Sequence, residues 1–199
     1  MTSRLILASA SEIRATLLRN AGLDVETRPA RIDEEAIRAA LEAEGASPRD
    51  LADALAEMKA RKIAEKHPGV LVLGCDQVLD FGGRVFSKPE TPDDAKAQLR
   101  ELSGKTHRLL SAAVVFRDGA PLWRHVGTAR LTMHDLSETY IEDYVSRNWD
   151  SIRHSVGCYK LEEEGVRLFA RIEGDHFTIL GLPLMEFLGW LAMRGEIAR

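Results

Sequence analysis

Residues 70–89 read VLVLGCDQVLDFGGRVFSKP, and the way this run divides into elements decides the fold. Val70–Cys75 is an apolar run of strand length, as expected of a strand buried on both faces. It leads straight into Asp76 and Gln77, so the expected strand ends on a carboxylate and an amide. Gly82 and Gly83 then mark a hairpin turn between VLDF and RVF. Lys88 follows, held in extended backbone by Pro89. Strand ends in α/β sheets are where sites form, because the side chain leaves the core while its backbone stays rigid. Two readings of this stretch stand side by side. Asp76 holds a metal or takes a proton from water while Lys88 meets a phosphate, or the pair is a turn carboxylate and a solvated lysine.

Working outward, Arg4–Ala8 is a short aliphatic strand, and SASEIR begins a helix with Ile13, Leu17 and Leu18 on one face. Ser9 and Glu12 have capping-box spacing, and Ser11 is an equally good cap. Pro29 keeps residues 24–32 away from a central strand position. Helices are expected over Asp33–Glu44 and Pro48–Lys66, the second opened by Ser47 and Pro48. Thr91 caps another helix, which Gly104 stops. Arg108–Arg117 and Leu122–Met133 read as strands joined by a turn at Asp118–Gly119, and Ser137 caps a helix running to Ser146. Val166–Ile172 and Phe177–Leu180 read as strands, and Pro183 opens a last apolar helix. Strands and helices alternate through much of the chain, which makes the fold class α/β with a mixed sheet.

Composition bounds the function. The 199 residues suit one domain with one good core, and 45% hydrophobic with 29% charged residues is an ordinary globular balance. With 27 basic residues against 31 acidic, the net charge of −4 argues against non-specific nucleic-acid binding. Cys75 and Cys158 lie far apart in apolar surroundings, as small buried residues of a reducing compartment do. No stretch approaches the roughly twenty apolar residues that span a bilayer. The expected location is cytoplasmic, with no membrane partner.

Several motifs bear on chemistry. ASASEIR offers free backbone N–H groups, two hydroxyls and Arg14 at one helix start, which suits a phosphate or an ordinary capped helix. LSGKTH at 102–107 imitates the end of a Walker loop, but Leu99 stands where the first glycine is needed and the segment follows a helix. Lys105, Thr106 and His107 are left as rim candidates. Asp33, Glu34 and Glu35 suit a first helical turn, and equally the carboxylates of a Mg²⁺ site. GCYKLEEEG carries Tyr159, Lys160 and three glutamates. The six histidines lack zinc-ligand spacing, and no GxSxG elbow is present.

Taken together, LILASASEIR, IDEE, LAEMKARKIA, LGCDQV, SKP, LSGKTH, GCYKLEEEG and GLPL, in this order and spacing, resemble the Maf family of nucleoside triphosphate pyrophosphatases along nearly the whole chain. The resemblance implies a single Maf-like domain over residues 1–199. Its fold would be a mixed, twisted sheet flanked by helices, in two lobes with the substrate cleft between them. It implies cleavage of the α–β phosphoanhydride with a divalent metal, Mg²⁺ or Mn²⁺, and a homodimer as the family-level expectation. By the same resemblance Asp76 is catalytic and binds metal with Glu34. Ser11, Arg14, Lys59 and Lys88 bind phosphates. Gln77 and Glu162 stand where the branch acting on dTTP and UTP usually has Thr and Gln, and GCDQV with YKLE looks like the 7-methyl-GTP branch. A carboxylate at 162 would accept the N1 and N2 protons of guanine, whereas O2 and O4 of uracil would oppose it. Glu12 and Ile13 depart from the family's usual Ser-Pro-basic first loop. The rival expectations are a dTTP/UTP pyrophosphatase, a non-catalytic nucleotide-binding regulator of cell division, and a phosphatase releasing orthophosphate.

Overall fold

The computed structural model describes residues 4–198. In chain order the elements are β1 (Leu5–Leu7), α1 (Glu12–Asn20), β2 (Val25–Thr27), α2 (Glu34–Ala43), α3 (Pro48–Ala64), β3 (Leu71–Phe81) and β4 (Arg84–Phe86). There follow α4 (Pro92–Leu102), β5 (Thr106–Arg117), β6 (Ala120–Met133), α5 (Glu138–Ile152), β7 (Phe169–Glu173), α6 (His176–Ile179) and α7 (Leu184–Met193). The strands make one sheet in the order β2-β1-β3-β5-β6-β7, with β4 on β3. Pairing with β1 is parallel and every other pairing is antiparallel, so the α/β class with a mixed sheet holds.

The caps follow from sequence. Ser47, Thr91 and Ser137 each accept a hydrogen bond from a first-turn N–H, and Thr91 with Asp94 closes a capping box. Gly82 and Gly83 both have positive φ, the backbone that the β3–β4 turn requires.

The core has three parts. Ile6, Val72, Val78, Ala112 and Val114 meet the Leu/Ala stripe of α3 on one face of the sheet. Leu5, Leu7, Leu71, Leu73, Cys75 and Val115 meet α1 and α7 on the other. Toward the far ends of the long strands, Leu79, Leu109, Leu131 and Met133 pack with α4, α5 and the segment 156–159. The first two parts form one lobe and the third forms a second, with β3, β5 and β6 running through both.

Four expectations need correction, the simplest being that α5 does not stop at Ser146 but runs on to Ile152, where the chain turns at Arg153. The strand does not end at Asp76; β3 continues to Phe81, because β5 pairs with it without interruption from Val72 to Asp80. What ends there is its neighbour. β1 covers only Leu71–Leu73 and β4 only Leu79–Phe81, so residues 74–78 have an open edge on that side. Residues 177–180 form the helix α6 and its end, not a strand: the Asp175 carboxylate accepts from Thr178 N at 2.9 Å and turns the chain. Residues 164–168 form a 3₁₀ turn ahead of β7, a strand that starts only at Phe169.

Candidate active site

Alternation along β3 aims consecutive side chains at opposite faces. Val72, Gly74, Asp76 and Val78 face α3, whereas Cys75 and Gln77 face the other layer. Gly74 sets the helix–strand distance. A Cβ there would lie 2.1 Å from Ala56 O and 2.6 Å from Ala60 N, so α3 rests directly on the strand backbone. Lys59 sits on this buried stripe of α3, between Leu55 and Ile63, which brings its ammonium over Asp76. Lys59 Nζ lies 2.6 Å from Asp76 Oδ1 and 2.8 Å from Glu34 Oε1 at the start of α2. The Asp76 side chain is 9% exposed and the Lys59 side chain 10%, while Glu34 is 44% exposed.

Electrostatics follow from burial. Burial raises the Asp76 pKa above the ordinary carboxylate range, Glu34 adds to this, and Lys59 and Arg14 pull the other way. Glu34 is lowered: burial is the largest single influence and acts upward, but the charge and hydrogen bond of Lys59, then Lys88 and Arg14, outweigh it. Burial also pushes the Cys75 thiol up to about 11 and Cys158 to about 12, so both stay protonated and unreactive near neutrality.

Arg14 enters the open edge of β3. Its Nε donates to Gly181 O at 2.7 Å, and Nη1 donates to Ser9 Oγ at 3.2 Å and Cys75 O at 3.3 Å. Gly181 has φ +96°, and a Cβ there would meet the Arg14 guanidinium at 2.9 Å. Ser11 is the N-cap of α1 but its side chain makes no capping bond; its N–H donates to Ser9 Oγ at 3.2 Å. Gln77 faces its pairing partner Ser111, and its amide N–H groups go to Ser111 Oγ and Ile179 O, both at 2.9 Å, and to Thr178 O at 3.3 Å. On the opposite wall, Glu163 accepts from Ser151 and Lys160, and Glu164 accepts from Arg147 and Asn148. Glu162 is exposed and makes no such bond among the described residues.

Ser11, Arg14, Glu34, Lys59, Asp76, Gln77, Lys88 and Glu162 all line one cleft of about 550 Å³, between the two lobes. That volume is ordinary for a nucleotide-sized ligand. Glu12 and Ile13 line it too, along with His154, Tyr159 and Lys160. His107 is not on the rim. It is 1% exposed, with Nε2 2.7 Å from Tyr159 Oη, and burial lowers its pKa to about 4. Its place was legible in the alternation it shares with Leu109 and Ser111, once the strand is started at Thr106. The residue that sequence reasoning missed is Arg38, whose Nη1 donates to Ser87 Oγ at 3.1 Å beside Lys88; Ser9, expected as a cap or phosphate hydroxyl, instead holds Arg14. Gly181 lies within the motif GLPL, so a signal for it existed; its partner 167 positions earlier did not announce itself.

The arrangement offers two convergent carboxylates and three cations to a polyanion, in a cleft walled by both lobes. Residues 4–194 match the family model described as "Maf-like protein". The "Nucleoside triphosphate pyrophosphatase" of Ruegeria pomeroyi is 63% identical over 197 residues, covering 99% of each chain. The "7-methyl-GTP pyrophosphatase" of Rhizobium etli is 52% identical over 197 residues, again covering 99% of each. Among solved structures, a HAM1 protein from Coxiella burnetii is 18% identical with a TM-score of 0.44, covering 66% of this chain and 73% of that one. No helix among the described residues is long and apolar enough to cross a membrane.

Proposed function

The chain belongs to the Maf family, and on that premise we propose that it is a nucleoside triphosphate pyrophosphatase hydrolysing the α–β phosphoanhydride to a nucleoside monophosphate and pyrophosphate. The observation that carries this reading is the Asp76–Lys59–Glu34 array on the wall of the shared cleft, with Asp76 and Lys59 buried and Glu34 reaching them from the open side. In the reaction a water oxygen bonds to phosphorus as the bridging P–O bond breaks, and pyrophosphate leaves. Asp76 orients that water and takes its proton. Arg14, Lys59 and Lys88 meet the phosphate oxygens where charge develops, and Arg14 is held in place beforehand by Gly181, Ser9 and Cys75.

Two carboxylates already converge on one positive atom, and hard oxygen donors suit Mg²⁺ or Mn²⁺, so Asp76 and Glu34 fit a divalent metal. When bound, the ion would offset charge on the phosphates and polarise the attacked group.

The base reading is finer. The relative named for 7-methyl-GTP is 52% identical, whereas the one at 63% carries the general name, so names alone do not select a substrate. What supports 7-methyl-GTP or another modified guanine nucleotide is Glu162, exposed, lining the cleft and free to accept base protons. Incubation with Mg²⁺ and a panel of nucleoside triphosphates, with pyrophosphate measured, tests both levels. Pyrophosphate release that is lost in Asp76→Asn is expected. Binding without turnover would favour the nucleotide-binding regulator, preference for dTTP or UTP the other enzyme branch, and orthophosphate alone a phosphatase.

A further inference from the structure

Lys59 holds the spot that a divalent cation needs. Its ammonium touches both carboxylates, 2.6 Å from Asp76 and 2.8 Å from Glu34, and these are its charged partners. The same oxygen lone pairs cannot serve the ammonium and a metal at full strength. We propose that Lys59 is a resident counter-ion that must leave Asp76 and Glu34 before a metal can enter, and that an incoming polyphosphate draws it away. Metal and nucleotide then bind interdependently, each weakly alone. This deepens the pyrophosphatase reading and rests on it.

Three observations support the exchange. First, no group of three or more His, Cys, Asp or Glu among the described residues is placed to hold a metal, so Asp76 and Glu34 would hold it with water and phosphate oxygens, and the phosphates strengthen a site that two carboxylates hold weakly. Second, a buried ammonium stripped of its partners is strongly unfavourable, and the other cations in the cleft repel it. Arg14 and Lys88 are positive, and Arg14 is committed to Gly181, Ser9 and Cys75. An arriving phosphate is the partner that makes departure favourable. Third, Glu34 stands in the first turn of α2 with its side chain 44% exposed, so the carboxylate has room to follow a new cation while Ile37 and Leu41 keep the helix against the core. Positive coupling between two ligands is reciprocal, so it is measurable from either side.

The test is Mn²⁺ binding to the full chain, followed by electron paramagnetic resonance of the free ion, with no nucleotide present. The wild type should bind Mn²⁺ weakly, and Lys59→Met, which bares both carboxylates, should bind it at least roughly tenfold more tightly. Adding Glu34→Gln to Lys59→Met should abolish the gain. Equal Mn²⁺ affinity in wild type and Lys59→Met would overturn the proposal. If Lys59→Met does not fold, the wild type alone decides by thermal unfolding. Mn²⁺ alone should leave the midpoint in place, and Mn²⁺ with α,β-methylene-GTP should raise it beyond the analogue alone. A full shift with Mn²⁺ alone would refute the exchange. Pyrophosphate release from the nucleotide panel is independent of these readouts: if it occurs while Mn²⁺ binds unaided, the exchange fails and the enzyme reading stands. No release from any nucleotide removes the enzyme reading itself.

Discussion

Two single side chains carry separable roles. Under the proposed function Glu162 is the carboxylate that meets the base, and Glu162→Gln exchanges two acceptors for a mixed amide. A well-made polar pair to a base is worth about 1–3 kcal/mol, so kcat/KM on 7-methyl-GTP should fall by roughly fivefold to 150-fold. Turnover of UTP should change little; equal losses on both would remove this residue from base reading. His107 sits in the core behind the same wall, tied to Tyr159. Its folded pKa of about 4 lies below the ordinary value of 6.5, so as pH falls the unfolded chain takes up this proton first. Stability is therefore lost between pH 6.5 and about 4, by roughly 2–4 kcal/mol from this one group. In His107→Gln that contribution disappears. Urea unfolding should find the variant less stable at pH 7 and the gap to wild type narrowing towards pH 4; a gap that is constant or widens would show that His107 is not held neutral.

At the scale of elements, the site depends on how closely α3 approaches β3. Gly74 has no Cβ, and adding one at 2.1 Å from a helix carbonyl forces backbone apart. Overpacking of that kind costs about 1–3 kcal/mol or more. Gly74→Ala should lower the urea midpoint accordingly. Because α3 carries Lys59, it should also cut pyrophosphate release out of proportion to the fraction unfolded. A variant with unchanged midpoint and turnover would deny Gly74 this role. The caps of α3, α4 and α5, the turns and the α2 and α3 spans were readable in the sequence because their signals lie within a few residues of the element, whereas the side-chain cap expected at Ser9 or Ser11 did not form. The length of β3 was not. Asp76 ends the apolar run, and only pairing with β5, more than thirty residues later, carries the strand through it. Phe177–Leu180 failed for a related reason: three apolar residues and a threonine are too short to show a period, and the Asp175 cap decided for helix.

At the scale of the molecule, the cleft residues were identifiable one by one from motifs, but their convergence was a matter of topology. β1 stops early, β3 runs on, and the gap between β1 and β4 admits Arg14 from one lobe opposite the 154–162 wall of the other. Long strands that pass through both lobes tie their stabilities together, since neither lobe can lose its share of β3, β5 and β6 without unpairing the other's. The tryptophans report this. Trp123 and Trp190 stack 5.9 Å apart in one lobe, and Trp149 packs against the core of the other. In variants retaining one tryptophan each, Trp→Phe at the remaining two, the fluorescence midpoint in urea should coincide with that variant's own far-ultraviolet circular dichroism midpoint, whichever lobe the probe is in. A fluorescence transition separated from the circular dichroism transition of the same variant would mean that the lobes unfold independently. In that event the cleft could open by local unfolding of its 154–162 wall, which would take Glu162 out of the cleft it shares with Asp76.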